Sequence, residues 1–138
     1  MMSIPTKQIF VNLPVKDLKR SRAFFEALGY SFNEQFTDEN ATCLVISDTI
    51  YAMLLVEDYF KSFISKDIAN TRTSAEAILA LATDSREHVD ELADKALAAG
   101  GTEPKAPIDH GFMYTRSFED PDGHLWEIFY MDESALQQ

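Results

Sequence analysis

Phe118-Glu119-Asp120-Pro121-Asp122-Gly123-His124-Leu125-Trp126-Glu127-Ile128-Phe129-Tyr130 reads as strand, tight turn, strand. Asp-Pro-Asp-Gly supplies the turn: proline presets φ, aspartate tolerates the next position, and glycine closes it. Aromatic and branched residues flank it on both sides, as strands require. Symmetric closure pairs Glu119 with His124, Phe118 with Leu125, Ser117 with Trp126 and Arg116 with Glu127. Side chains alternate along a strand, so Tyr114, Arg116 and Phe118 then share a face with Leu125, Glu127 and Phe129. This register predicts an arginine and a glutamate facing each other in a mostly apolar surface.

Upstream of this hairpin the chain carries the same pattern twice. Gln8 to Leu13 is a β-rich run stopped by Pro14. Asp17 fits a helix N-cap, Leu18, Phe24, Phe25 and Leu28 form a helical stripe, and Gly29 sits where the helix ends. Tyr30 to Phe36, Thr42 to Ser47 and Ile50 to Val56 read as strands. In the second half, Ala77 to Ala82 is a strand. Asp84 with Glu87 fits a capping box, Val89, Leu92, Ala93, Ala96 and Leu97 line one helix face, and Gly100-Gly101 ends it. Strands near Thr102 to Lys105, over Phe112 to Phe118 and over Leu125 to Met131 follow. The expectation is an α+β fold of two tandem β-α-β-β-β modules forming a cupped mixed sheet. Module 1 spans about 7–57, a linker with a short helix about 58–74, and module 2 about 75–132, within one domain of 138 residues.

The bulk composition removes several functional classes. There are 12 Lys and Arg against 23 Asp and Glu, a net charge of −11. Nucleic acid is therefore not an expected partner, because binding it needs a basic surface. No apolar run reaches the length of a membrane span, so no membrane partner is expected. The lone Cys43 excludes an intrachain disulfide and fits a reducing compartment. The N-terminal residues lack the charged start and apolar run of a signal peptide, and a cytoplasmic location is expected. No Ser-His-Asp set, glycine-rich phosphate loop or Cys-x-x-Cys pair is visible.

The paired modules, Leu13-Pro-Val-Lys-Asp-Leu-Lys-Arg-Ser21, Phe24-Phe-x-x-Leu-Gly29 and Asp120-Pro-Asp-Gly-His-Leu-Trp-Glu-Ile128 together resemble the vicinal oxygen chelate superfamily. This group contains glyoxalase I, the bleomycin and fosfomycin resistance proteins and extradiol dioxygenases. The resemblance covers nearly the whole chain and implies the glyoxalase/bleomycin-resistance fold, commonly a homodimer. It does not fix an activity, because the fold hosts lyases, oxygenases and metal-free binders.

Metal-dependent members of that superfamily take ligands from the first and last strand of each module. Those positions fall here on Phe10, Met53, Ala77 and Glu127, so only Glu127 is retained. Phenylalanine and alanine cannot coordinate, and a thioether suits hard or borderline divalent metals poorly. A one-residue slip brings in only Glu76, at the expense of flipping its strand. No metal and no other cofactor is expected.

The resemblance places a ligand in a concave face lined by Phe10, Tyr51, Met53, Tyr114, Arg116, Glu127 and Phe129. The Arg116–Glu127 pair has two readings, an internal ion pair or a polar anchor for a ligand. Glu127, His110 and Tyr114 are the candidates for a catalytic role, and none is assigned one. His110 reads either as an acid or base at the cup mouth or as a loop residue. His88 and His124 are expected at the surface, and Cys43 beneath the helices, inert. The leading expectation is a glyoxalase/bleomycin-resistance-like small-molecule binder, self-associating and without a metal centre. The alternatives are a metal-dependent lactoylglutathione-lyase-like or dioxygenase-like enzyme, and a structural dimer without ligand.

Overall fold

The computed structural model describes residues 4–136. It divides into two compact units, one through Ile68 and one from Ala69. Each contains a four-stranded mixed sheet.

In the first unit the strands are β1 (Ile9–Val15), β2 (Ser31–Asn33), β3 (Ala41–Val45) and β4 (Ile50–Val56), ordered β1-β4-β3-β2. β1 runs parallel to β4, and the other pairs are antiparallel. β1 continues through Pro14 rather than stopping before it. It is an edge strand, where a missing backbone N–H costs no ladder bond. Helix α1 (Leu18–Ala27) starts at Asp17, whose carboxylate accepts from the N–H groups of Lys19 and Arg20. It ends before Gly29, whose φ of 105° is the left-handed geometry that glycine supplies. Buried Phe24 and Phe25 give the helix its apolar side, and it packs on β3 and β4. The Arg22 guanidinium lies over the Phe32 ring, 4.8 Å from its centroid, which marks the face of Phe32, Leu44, Ala52 and Leu54 as the helix side. Phe10, Tyr51, Met53 and Cys43 have the opposite parity and lie on the helix-free side. Cys43 is therefore not beneath the helix, where its opposite parity to Leu44 suggested it would pack, though it is fully buried. Burial pushes its thiol above the usual range, so it stays protonated.

Helix α2 (Glu57–Lys61) follows β4. The second unit holds β5 (Ile78–Ala82), α3 (Arg86–Ala98), β6 (Ile108–Asp109), β7 (Met113–Glu119) and β8 (Leu125–Met131), with strand order β5-β8-β7-β6. The N-cap of α3 is Ser85, one residue later than expected, and its hydroxyl accepts from the His88 N–H. Thr102 to Lys105 does not form a strand. Only Thr102 bridges to Glu119, and the short β6 takes the edge beside β7. Buried Val89, Ala93 and Ala96 face inward from α3, which packs on β7 and β8.

The last hairpin is offset by one residue from the symmetric reading. Glu119 pairs with Leu125, Phe118 with Trp126, Ser117 with Glu127 and Arg116 with Ile128. The loop therefore spans 120–124, and the Asp120 carboxylate organises it. Its Oδ1 accepts from the N–H groups of Asp122 and His124, and its Oδ2 from Trp126 Nε1 at 3.0 Å. Asp120 is 6 % exposed and needs these donors because a buried carboxylate without them is costly. Burial pushes its carboxyl above the usual range, against the opposing pull of His124 and the Trp126 bond. His124 is buried rather than at the surface, with Nδ1 2.7 Å from Glu76 Oε1. Gly123, at φ 80°, also presses against Thr71, whose hydroxyl donates to the Asp122 carbonyl. The segment before β5 is thus fastened to the hairpin turn at two points.

Candidate functional site

The corrected register sorts the expected site residues onto opposite faces. On the second sheet, Tyr114, Arg116 and Phe118 share a face with Trp126, Ile128 and Tyr130. This is the helix side. The Tyr114 hydroxyl donates to Asp90 Oδ1 of α3 at 2.6 Å. Arg116 donates to Asp90 at 3.1 Å and Asp94 at 3.0 Å on the same helix, and to Glu103 at 2.9 Å. Its side chain is 10 % exposed. Burial works against its charge, but the bonds to Glu103, Asp94 and Asp90 outweigh that and hold the guanidinium above its ordinary value.

Arg116 and Glu127 consequently do not face each other, and the expected ion pair is absent. Neither Arg116 nor Tyr114 lines the helix-free side. Tyr114 is also a poor acid or base, because its bond to Asp90 and its burial raise the phenol further. His110 lies in the loop joining β6 and β7, exposed, with its backbone N–H donating to the Met113 carbonyl. The neighbouring Asp109 takes a two-pronged ion pair from Arg86, which also donates to the Gly111 carbonyl and so closes this loop.

Two groups of expected residues do come together, each within its own sheet. On the first sheet, Phe10 stacks on Tyr51, with ring centroids 4.7 Å apart and planes 11° from parallel. The Tyr51 hydroxyl donates to the Asp48 carbonyl, which fixes the ring. Met53 follows on the same face, opposite Asn12 on β1 and Cys43 on β3. On the second sheet, Glu127 and Phe129 lie on the helix-free face with Leu125 and Met131. Their neighbours across β7 are Ser117 and Thr115, and across β5 Ala80 and Ala82.

Ser117 and Thr115 escaped the sequence reading because the symmetric hairpin turned them toward the helix. Each is 7 % exposed, and neither hydroxyl oxygen has a hydrogen-bond partner among the described residues.

The donors do not fit a metal of the kind that the superfamily's metal-dependent members hold. Counted back from the two N-caps, Ile78 rather than Ala77 is the β5 counterpart of Phe10. Glu127 then has aliphatic neighbours on β5 and a hydroxyl on β7. Glu76, the one rescue by a register slip, is engaged with His124. Among the described residues, no three His, Cys, Asp or Glu side chains are grouped so as to hold an ion.

No helix among the described residues is long and apolar enough to cross a membrane. Residues 7–47 match the family described as bleomycin resistance protein-like, N-terminal. No curated protein matches the chain. Among solved structures, a hypothetical protein from S. aureus is 26 % identical, covering 91 % of this chain and 95 % of that one, with a TM-score of 0.77. A glyoxalase/bleomycin resistance protein/dioxygenase family enzyme from Burkholderia phytofirmans is 21 % identical over 88 % and 96 %, with a TM-score of 0.74. An antibiotic binding protein from Streptomyces is 17 % identical over 95 % and 99 %, with a TM-score of 0.66. With two such sheets, each pairing its first strand in parallel with its last, the chain has the glyoxalase/bleomycin-resistance fold, and its residues 7–47 are similar to the N-terminal part of bleomycin-resistance-like proteins.

Proposed function

We propose that the protein binds a small molecule on the helix-free faces of its sheets and does so without a metal centre, as a sequestering rather than a Lewis-acid protein. The observation that carries this is the donor set. Phe10, Met53 and Ile78 stand where ligands would be needed, and Glu127 alone has a ligand chemistry. The stacked and partly exposed Phe10–Tyr51 pair offers an aromatic platform, a common feature of small-molecule sites. The likeness to an antibiotic binding protein supports the same reading at the level of fold. We extend the proposal to a homodimer, which light scattering tests, in the cytoplasm, which cell fractionation tests.

The deciding experiment measures metal and ligand together. Elemental analysis of purified protein is expected to give no stoichiometric divalent metal, and added zinc or nickel no glyoxalase activity. A panel of apolar and amphipathic compounds, antibiotics included, is expected to contain members that raise the melting temperature of the metal-free protein. One equivalent of tightly bound metal that is lost in Glu127→Ala would overturn the reading in favour of the metal-dependent lyase-like or dioxygenase-like enzyme. A panel with no stabilising member would overturn the binding function.

A further inference from the structure

We propose that the helix-free face of the second sheet holds the protonated amine of a small organic cation, with Glu127 as its counter-ion and the Ser117 and Thr115 hydroxyls as hydrogen-bond acceptors. This rests on the small-molecule-binding reading above and adds a ligand class to it.

The fold leaves two buried hydroxyls of this face unsatisfied among the described residues. Ser117 and Thr115 are more than nine-tenths buried, and their hydroxyl oxygens have no partner among the described residues. Buried polar atoms are nearly always paired in folded proteins, so two orphans side by side on one strand face call for a ligand atom. Ser117 stands directly across from Glu127, and Thr115 directly across from Phe129. Glu127 has neither an ion-pair nor a hydrogen-bond partner among the described residues, and its β5 neighbour is Ala80. The cation that the sequence offered to it, Arg116, points to the other face and is saturated by three carboxylates.

The chemistry of the absent partner follows from these groups. A carboxylate only accepts hydrogen bonds, and two hydroxyls beside it are free to accept as well. Three acceptors match the three N–H donors of an ammonium group. Glu119 lies on the same face, diagonal to Glu127 across the strand pair, and adds a second negative charge to the field. An anion is therefore repelled, and a neutral alcohol leaves the carboxylate without a counter-charge. Phe129 and the aliphatic side chains of β5 receive an apolar body and favour a cation near the ring.

The test uses the full chain and three probes sharing one skeleton: naphthylethylammonium, naphthylethanol and naphthylpropionate. Calorimetry near neutral pH is expected to show the ammonium binding about tenfold or more tightly than the alcohol, with the propionate weakest, as a charge-assisted contact requires. Glu127→Gln is expected to abolish the preference for the ammonium while leaving the alcohol unchanged. Ser117→Ala and Thr115→Val remove unpaired hydroxyls, so they are expected to fold normally and to weaken the ammonium a few-fold. They keep the test valid should Glu127→Gln fold poorly. Equal affinity for ammonium and alcohol, or an undiminished preference in these variants, overturns the cation class and leaves the binding function standing. Failure of all three probes also overturns this inference. The binding function falls only if the wider compound panel fails as well.

Discussion

Replacing Arg116 with methionine tests the register of the last hairpin and the energetics of its helix side at once. Methionine keeps an unbranched apolar stem, so the loss is mainly that of the guanidinium. Arg116 is 10 % exposed, and Glu103 is 23 % exposed at 2.9 Å, so their charge-assisted bond contributes about 1.5–3 kcal/mol. Asp90 and Asp94 are 49 % and 69 % exposed, and water screens each contact to about 0–1 kcal/mol. The expected cost of Arg116→Met is therefore about 1.5–5 kcal/mol, reaching the roughly 3–5 kcal/mol of a fully buried pair only if both screened contacts contribute in full. Urea denaturation measures it. The cost should also depend on pH. The bond from Tyr114, then those from Arg116, hold the Asp90 carboxyl below its usual range. A depressed carboxyl contributes stability above its unfolded pKa and loses it as pH falls through the folded value. The deficit should be largest near neutrality and narrow in acid. Double-mutant cycles give the decisive comparison. Arg116→Met with Glu103→Gln should couple by about 1 kcal/mol or more, and Arg116→Met with Glu127→Gln should be additive within about 0.5 kcal/mol. Strong coupling of Arg116 to Glu127, or a loss under about 0.5 kcal/mol on removing Arg116, would refute the reasoning.

Three further variants probe other parts of the molecule. Gly123→Ala forces a Cβ to 2.6 Å from the Thr71 hydroxyl at positive φ, whereas Gly29→Ala meets nothing within 4 Å. The second should cost about 1–2 kcal/mol of backbone strain by thermal denaturation and the first distinctly more, and equal costs would mean that Thr71 does not crowd the turn. Trp126→Phe strips a donor from the buried Asp120 carboxylate and should cost about 1–3 kcal/mol by urea denaturation; an unchanged midpoint would show that this bond is dispensable. Phe10→Ala removes a ring that is 41 % exposed and stacked on Tyr51, so stability should fall by only about 0.2–1 kcal/mol while binding of any aromatic compound found in the panel drops. Undiminished binding would remove that face from the site.

The fold was legible because its punctuation is local. Asp17 caps α1 and Gly29 ends it, and Gly100, at φ 103°, plays the same part after α3. These residues act through the chain's own backbone, so spacing alone identifies them. The misplacements share the opposite property. Pro14 looked like a strand end because sequence does not reveal that β1 lies at an edge. His124 looked exposed because a turn lies beside it, and the partner that buries it, Glu76, is far away along the chain. Thr102 to Lys105 has strand-like chemistry, but the chain leaves β7 after one bridge.

The site was legible only as far as the register was, and one residue decided it. Side-chain direction in a strand has a period of two, so a slip of one residue inverts every assignment on that strand relative to its partner. A four-residue loop over Asp120-Pro121-Asp122-Gly123 would have put Arg116 beside Glu127. The actual loop includes His124, because Asp120 uses its carboxylate to bind the backbone of Asp122 and His124 and the Trp126 indole. The sequence did hold a sign of this. A carboxylate two residues before one backbone donor and four before another closes a wider loop than a bare four-residue turn. The consequence reaches the proposed site: the same slip that gives Arg116 to the acidic face of α3 leaves Glu127, among the described residues, without a counter-charge and beside two hydroxyls without partners. A stable internal ion pair would have closed that face electrostatically. Its absence leaves the face open to a counter-charge, and the proposed preference for a cation rests on the arrangement of acceptors rather than on the fold.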